Sequence, residues 1–241
     1  YAAAACLEAL KDAGFDTPPP RLGILFVMMN GCVNYTGRFY QEVLDNPAQA
    51  SPLIFPETVF NAPASHIAAL LGADAAVSTI IGNANAIMEA LDMAAVWLRC
   101  GVCDHCLVVG AEECDWLSAE ALTYYHEDHV ASEGAGALLV SLDGKGPQLQ
   151  QITGPLAYHS WRERGEKLAQ LATAASILID DRTGIAKHDA DEQAALSSMT
   201  FESIHSPKQI LGESMGASAA LQLVLATLES REQKAPVAVS M

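Results

Sequence analysis

Positive charge is scarce in this 241-residue chain: 13 Lys and Arg stand against 29 Asp and Glu, a formal net charge of −16. A surface that binds nucleic acid must neutralise phosphates, so nucleic acid is excluded as the main partner, and an anionic membrane surface with it. Charge of either sign is sparse, at 17% of residues, while 51% are hydrophobic. A chain of that balance buries a core instead of staying disordered. Apolar runs are short. None approaches the roughly 18 residues that cross a bilayer, and no secretory signal opens the chain. Tyr1 is not an initiator methionine, so the natural N-terminus is expected upstream. Six cysteines are few for a disulfide scaffold and ordinary for a reduced, cytoplasmic protein. There is no short-period repeat and no low-complexity tract.

What is present alternates between two periods. Residues 22–29 (LGILFVMM), 75–81 (AAVSTII), 106–111 (CLVVGA) and 137–142 (ALLVSL) are continuous apolar runs, the mark of strands buried on both faces. Residues 2–13, 39–44, 66–71 and 84–100 carry helical spacing. Residues 145–147 (KGP) divide the chain into an N-terminal half, 1–146, and a compressed C-terminal half, 147–241, of one domain. In the second half, 148–156, 176–179 and 237–240 read as strands, and 161–175, 189–197 and 215–228 as helices. Strands alternating with helices predict an α/β fold with mostly parallel, helix-covered sheets.

Three motifs invite chemical readings. Cys100, Cys103 and Cys106 share the spacing of iron–sulfur ligands, but no fourth cysteine followed by proline completes the set, and Cys106 opens an apolar strand. Packed thiols at a helix–strand corner are expected instead. His126 and His129 have zinc-like spacing without a third ligand, so a polar loop is expected and no metal. The most specific stretch is 211–220, LGESMGASAA. There a glycine turn enters a helix of tiny residues, and Glu213 lies near that helix's positive end, where taken alone it reads first as a capping acid.

Together these segments resemble the β-ketoacyl synthase family. Residues 207–218 (PKQILGESMGAS) resemble its T-K-S-x-x-G-H-x-x-G-A-A segment. Residues 60–68 (FNAPASHIA) resemble N-x-x-A-G-H-[IL], and 75–90 the strand, elbow and helix that carry the nucleophile. Residues 108–112 (VVGAE) and 132–136 (SEGAG) resemble [AL]-G-G-A-E and G-E-G-A-G. Thr183-Gly184 followed by 189–195 resembles H-G-T-G-T-x-x-x-D-x-x-E-x-x-A. The matches fall in the family's order along nearly the whole chain. The resemblance implies a thiolase-like fold, two similar α/β halves in five layers (αβαβα), shortened relative to a complete ketosynthase and usually dimeric.

The departures matter more. The family attacks an acyl thioester with a cysteine and uses two histidines to assist decarboxylation and hold charge. Here Ile81, or Ile80 if the gap is placed one residue earlier, stands at the nucleophile position. Asp181 and Glu213 stand at the two histidine positions, and only the lysine is kept, as Lys208. Isoleucine forms no thioester, and carboxylates repel a malonyl donor and its enolate. No catalytic residue and no cofactor are therefore expected. Lys208 is expected to neutralise Asp181 or Glu213. The opening strand and helix and the glycine-rich gating loop of a full ketosynthase are not found within the 241 residues.

The resemblance then implies a chain-length-factor-like subunit paired with an active ketosynthase through the elbow strand, and reaching an acyl carrier protein only through that partner. Residues 58–62 and the helix from 84 are the implied gate of an acyl tunnel. Val59, Phe60, Asn61, Ile80 and Asn83 are its expected lining, with Phe60 as a rigid stop. Asn30-Gly31-Cys32 and Asn61-Ala62-Pro63 look most like the compact partners of aryl-polyene-type pathways. Two alternatives stand beside this: a hydrolase or transferase rewired around Asp181, Glu213, Lys208 and Asn83, with a buried Ile81 at the elbow arguing against it, and a structural acyl-binding homodimer.

Overall fold

The computed structural model describes residues 1–154, 156–170 and 174–241. Along the chain, α1 (Ala2–Asp12) leads to β1 (Leu22–Met28), α2 (Val33–Asp45), a 3-10 turn (Phe55–Thr58) and α3 (Ala62–Leu71). Then come β2 (Val77–Ile81), α4 (Ala86–Arg99), β3 (His105–Glu112), α5 (Trp116–Thr123) and β4 (Gly134–Val140). The second half holds α6 (Trp161–Leu168), β5 (Ile177–Ile179), α7 (Ala186–Leu196), β6 (Ser203–His205), α8 (Lys208–Leu211), α9 (Gly216–Gln233) and β7 (Val237–Val239). Among the described residues, no helix is long and apolar enough to cross a membrane.

The four strands of the first half form one sheet in the order β2-β1-β3-β4, with only β4 antiparallel to its neighbour. The short strands of the second half form a parallel sheet in the order β6-β5-β7. All seven residues of β1 are buried, which is why its sequence shows no alternation. Its two faces still divide cleanly. Leu22, Ile24, Phe26 and Met28 join Cys6 and Leu10 of α1 and Ile67 and Leu71 of α3. Leu25 and Val27 join Ile87, Leu91 and Leu98 of α4 and Ala219, Ala220 and Leu223 of α9. Helix α9 also packs Ala226 against Ile177 and Ile179 of the second sheet. On the far side α6 and α7 pair, and Glu192 of α7 accepts a hydrogen bond from Ser240 beside that sheet. The expected α/β layering, helix–sheet–helix–sheet–helix, is present.

Several sequence expectations need correction. The 75–81 run was expected to be buried on both faces, but β2 is the edge of its sheet, with Val77 and Ile81 exposed at its ends. Ala75 and Ile80 still pack against the core, so only the apolar ends of the strand face outward. Residues 148–156 form no strand in their described part, because no neighbouring strand is there to pair with them. The amphipathic helix at 161–175 stops at Leu168, and residues 171–173 lie outside the described residues. Helices expected at 39–44 and 66–71 begin earlier, at Val33 and Ala62, the latter with Pro63 in its first turn. Sequence reasoning missed α5, α8 and β6. Asp115 caps α5 by accepting from the Ser118 amide at 2.7 Å, a local signal present in D-x-x-S.

The interlock that positions the later chemistry is the approach of α9 to β3 and β4. A Cβ placed on Gly110 would lie 2.6 Å from the Gly216 carbonyl oxygen and 2.7 Å from the Ala220 Cβ, and one on Gly136 would lie 2.8 Å from the Ala220 carbonyl carbon. Backbone atoms cannot swing aside, so these glycines set the distance between helix and sheet. Gly110→Ala is expected to cost about 3 kcal/mol through overpacking, read as a lowered urea midpoint. Gly146→Ala, where a Cβ meets nothing within 4 Å, should change stability by less than about 0.5 kcal/mol. Equal effects from the two would contradict the interlock.

Candidate functional site

The chain leaves β5 at Asp180-Asp181, and the turn after it is pinned by Asp189 of α7, which accepts from the amides of Thr183 (3.0 Å) and Gly184 (2.7 Å). Asp180 is fully buried and bonded to Arg182 at 2.5 Å. Gln222 of α9 donates to the carbonyls of Asp180 (2.8 Å) and Ser240 (3.2 Å), tying the central helix to two strand ends. Asp181 is thereby delivered to the start of α8 and the turn that opens α9.

There Asp181, Glu213 and Lys208, three positions singled out from the sequence, meet. Lys208 is only 7% exposed. Its Nζ lies 2.6 Å from Asp181 Oδ1 and 2.7 Å from Glu213 Oε2. The expectation that Lys208 neutralises one of the two is exceeded, since it touches both. Glu213 Oε1 accepts from the Met215 amide at 2.6 Å. Two further residues extend the group: Arg164, which sequence reasoning passed over, and Glu192, the glutamate of the 189–195 match, to which no role was given. Arg164 of α6 lies 3.6 Å from Asp181 and 2.6 Å from Glu192. Glu192 is 3% exposed in α7. In sequence, Arg164 sits in the run RERGEK, which reads as a solvated helix face, so no signal marked it.

Two cations thus face three carboxylates. Burial opposes charge on Lys208, but the attraction of Asp181 and Glu213 outweighs it and the ammonium pKa is raised. Burial opposes charge on Arg164 too, and Glu192 and then Asp181 more than restore it. Burial pushes Asp181 up, against the pull of Lys208 and Arg164. The cationic groups stay charged, and their charge is engaged internally.

Ile81, Ile80 and Asn83 belong to a separate region at the end of β2. Ile81 pairs with Met28 along the sheet and is 56% exposed, so the expected buried plug at the elbow is corrected: an edge strand offers it no cover. Ile80 is the one that turns inward, against the apolar layer of α4 and α9. Asn83 is exposed, and its amide oxygen accepts locally from the Asn85 amide at 3.2 Å. The gate residues Val59, Phe60 and Asn61 lie in the turn that joins the 3-10 turn to α3. Phe60 is 40% exposed and is not core. Its ring covers Gly31, whose Cβ, if present, would meet it at 2.8 Å, and Gly31 holds a φ of +77°. Val59 is also exposed, and its carbonyl faces the Cys32 thiol at 3.6 Å. Asn61 begins α3 and accepts from Ser65.

Next to Glu213 lies a shallow depression of roughly 200 Å³ including its open mouth, bordered by Asn30, Glu112, Ser132 and Met215. Glu112 is 3% exposed and accepts from the amides of Met29 and Asn30 (3.2 Å for the latter). Burial pushes its pKa up to about 7, despite those amides and that of Gly216. Met215 holds φ 50° and ψ −114°, a strained turn that lets α9 start at Gly216. The space is below the roughly 300–1,000 Å³ of ordinary small-molecule sites.

Among the cysteines, Cys100 is exposed while Cys103 and Cys106 are buried and their thiol pKa values are raised by burial. They pack near Gly23, as expected of small apolar side chains. Among the described residues, no group of three His, Cys, Asp or Glu side chains is arranged to hold a metal ion.

No protein-family model matches this chain, and no curated protein does. Solved structures do. The complex AntDE:AntF, described as a type II PKS acyl-carrier protein with its ketosynthase bound to the hexaketide, aligns with a TM-score of 0.76 and 18% identity, over 96% of this chain and 71% of that one. The ishigamide ketosynthase/chain length factor aligns at 0.71 and 16%, over 96% and 73%. The oxazolomycin ketosynthase domain OzmH KS7 of Streptomyces albus JA3453 aligns at 0.70 and 19%, over 96% of this chain and 47% of that one. At such identities the likeness establishes the fold alone: the chain has the thiolase-like ketosynthase fold, and it spans 71% and 73% of the length of the first two of these structures.

Two outcomes follow from the site. Lys208→Met strands two partly buried carboxylates and is expected to cost about 3–5 kcal/mol, most of which returns when Asp181→Asn and Glu213→Gln are added. Urea denaturation of the four proteins checks it, and a loss below about 1 kcal/mol would show the ion pairs to be incidental. Glu112 has a folded pKa near 7, above its ordinary 4.5, so the folded state holds its proton longer than the unfolded chain does. Stability therefore falls as pH rises from about 4.5 to about 7, by the order of 3 kcal/mol, and is flat above. Glu112→Gln should remove that slope in a pH series of melting temperatures.

Proposed function

We propose that the chain is a non-catalytic, chain-length-factor-like subunit that pairs with an active ketosynthase and shapes its acyl tunnel, in polyketide or fatty-acid-type biosynthesis, aryl-polyene pathways among them. One observation carries the reading. Where the fold's enzymes need a nucleophile and two imidazoles, this chain has Ile81 on an open sheet edge, or Ile80 packed inward, and two carboxylates already tied to Lys208. Without the nucleophile and the charge-stabilising groups, the rate falls by many orders of magnitude.

The edge of β2 supports pairing. Among the described residues nothing pairs with its outer hydrogen-bonding side, and the side chains at its ends, Val77 and Ile81, are apolar. Such an edge is normally covered or paired. Val59 and Phe60 are half-exposed, which suits side chains completed by a partner's tunnel wall better than plain core. The net charge of −16 supports carrier-protein docking through the partner, since an acidic carrier is repelled here.

The rewired-enzyme reading is disfavoured by two facts. Asn83 engages Asn85 and not the lysine, and the Asp181 and Glu213 carboxylates are held by Lys208. An acid–base pair needs one carboxylate free to exchange protons with substrate.

The test is co-expression with a ketosynthase from the same genome, followed by sizing and an elongation assay with a malonyl-loaded acyl carrier protein. A one-to-one complex that elongates, with this chain inert alone, is expected. Phe60→Ala should then lengthen the product. A homodimer that turns over an acyl thioester by itself would overturn the reading and make Asp181, Glu213 and Lys208 the residues to mutate. An inert homodimer that ignores the ketosynthase would point to a structural acyl-binding role.

A further inference from the structure

The loop joining α5 to β4 crosses from the first half of the chain to the second, and it is held there at two points. The first is backbone. Glu213 donates its amide to the Val130 carbonyl at 2.8 Å, and Ser132 donates to the Glu213 carbonyl at 2.9 Å. Gly212 makes this possible, because a Cβ there would sit 2.7 Å from the Val130 oxygen. The second is a group of three imidazoles. His188 of α7 meets His126 edge-on, with ring centroids 5.6 Å apart, and His129 at a tilt, 5.4 Å apart. The loop thus lies over the segment that carries Glu213, and three titratable rings hold it to α7.

We propose that His126, His129 and His188 form a pH-dependent clasp, which keeps segment 124–131 closed over Glu213 at neutral pH and releases it in weak acid. This goes beyond the pairing role above and does not rest on it.

The charged groups around the clasp decide the direction. On the loop itself, Asp128 places a carboxylate 3.6 Å from His126 Nδ1, and its backbone amide donates to that same nitrogen at 3.2 Å. On α7, Lys187 and Asp189 flank His188, and Asp189 is already engaged by Thr183 and Gly184. From the α8–α9 segment, Glu213 attracts a proton to His129 and Lys208 repels one. Burial and the neighbouring imidazoles prevail: the pKa values of His129 and His188 are lowered, chiefly by desolvation. Neutral rings therefore belong to the closed state. Clasp stability is full above the ordinary histidine value of 6.5 and is lost as pH falls from there toward the lowered values of the closed state. Once two rings are charged at this spacing they repel, and the loop opens.

The sign is opposite to that of Glu112, whose contribution weakens as pH rises, so the two can be separated. Two measurements on the unmodified chain come first. In NMR titration, His129 and His188 should show midpoints below that of a free histidine. Amide hydrogen exchange at residues 132 and 213, corrected for the intrinsic pH effect, should lose about tenfold more protection between pH 7.5 and 5.5 than amides in β1. His188→Phe keeps an aromatic ring in place but cannot charge. It should keep protection at pH 7.5 and abolish the acid-induced loss. Midpoints at or above the free-histidine value, protection unchanged across the pH range, or a full acid response in His188→Phe would each overturn the proposal.

Discussion

One ammonium group holds together the region where this fold conducts its chemistry. Lys208 sits almost without solvent between Asp181 and Glu213, and through them it joins the end of β5 to the start of α9. Each carboxylate would be costly alone in such a place, and so would the lysine. Together they are tolerable, and Arg164 and Glu192 carry the balance onward to α6 and α7. A buried ion group of this kind contributes modest net stability, but any single removal is expensive. The region is therefore held by mutual dependence among charges, where a hydrophobic core would be held by volume.

That dependence explains how the fold is held at these positions with carboxylates and a lysine. A pair of imidazoles that must gain and lose charge needs room and a supply of protons. A pair of carboxylates clamped on a lysine needs neither. The surrounding frame still follows the fold: β1 buried on both faces, α9 seated against Gly110 and Gly136, Asp189 pinning the turn after Asp181. The strained backbone of Met215 belongs to the same frame, since it is the bend from which α9 departs.

Much of this was legible in the residues. The continuous apolar run of β1 and the spacing of α4 marked their elements, because burial on both faces and on one stripe leave different periods. The glycine turn before α9 marked the helix that touches both sheets. Asp181, Glu213 and Lys208 were legible as a set only through their likeness to a motif, and their contact was expected only for the lysine and one of them. What was not legible has physical causes. The apolar run of β2 looks the same whether a strand is covered by its own chain or left at an edge, so the exposure of Ile81 was hidden. Arg164 carried no signal, and Glu192 was marked only as part of the 189–195 match, because local sequence does not say which helix faces are brought together. The ring contacts of His188 with His126 and His129 join residues about 60 positions apart, beyond any local pattern.

The open edge of β2 sets a constraint on the chain by itself. Among the described residues nothing pairs with its outer side, and its backbone amides and carbonyls, bordered by Val77 and Ile81, are a template onto which an extended strand can add. Were the pairing proposed above to cover that edge, it would also remove an adhesive surface, and an excess of the chain over its partner would be left open to its own copies.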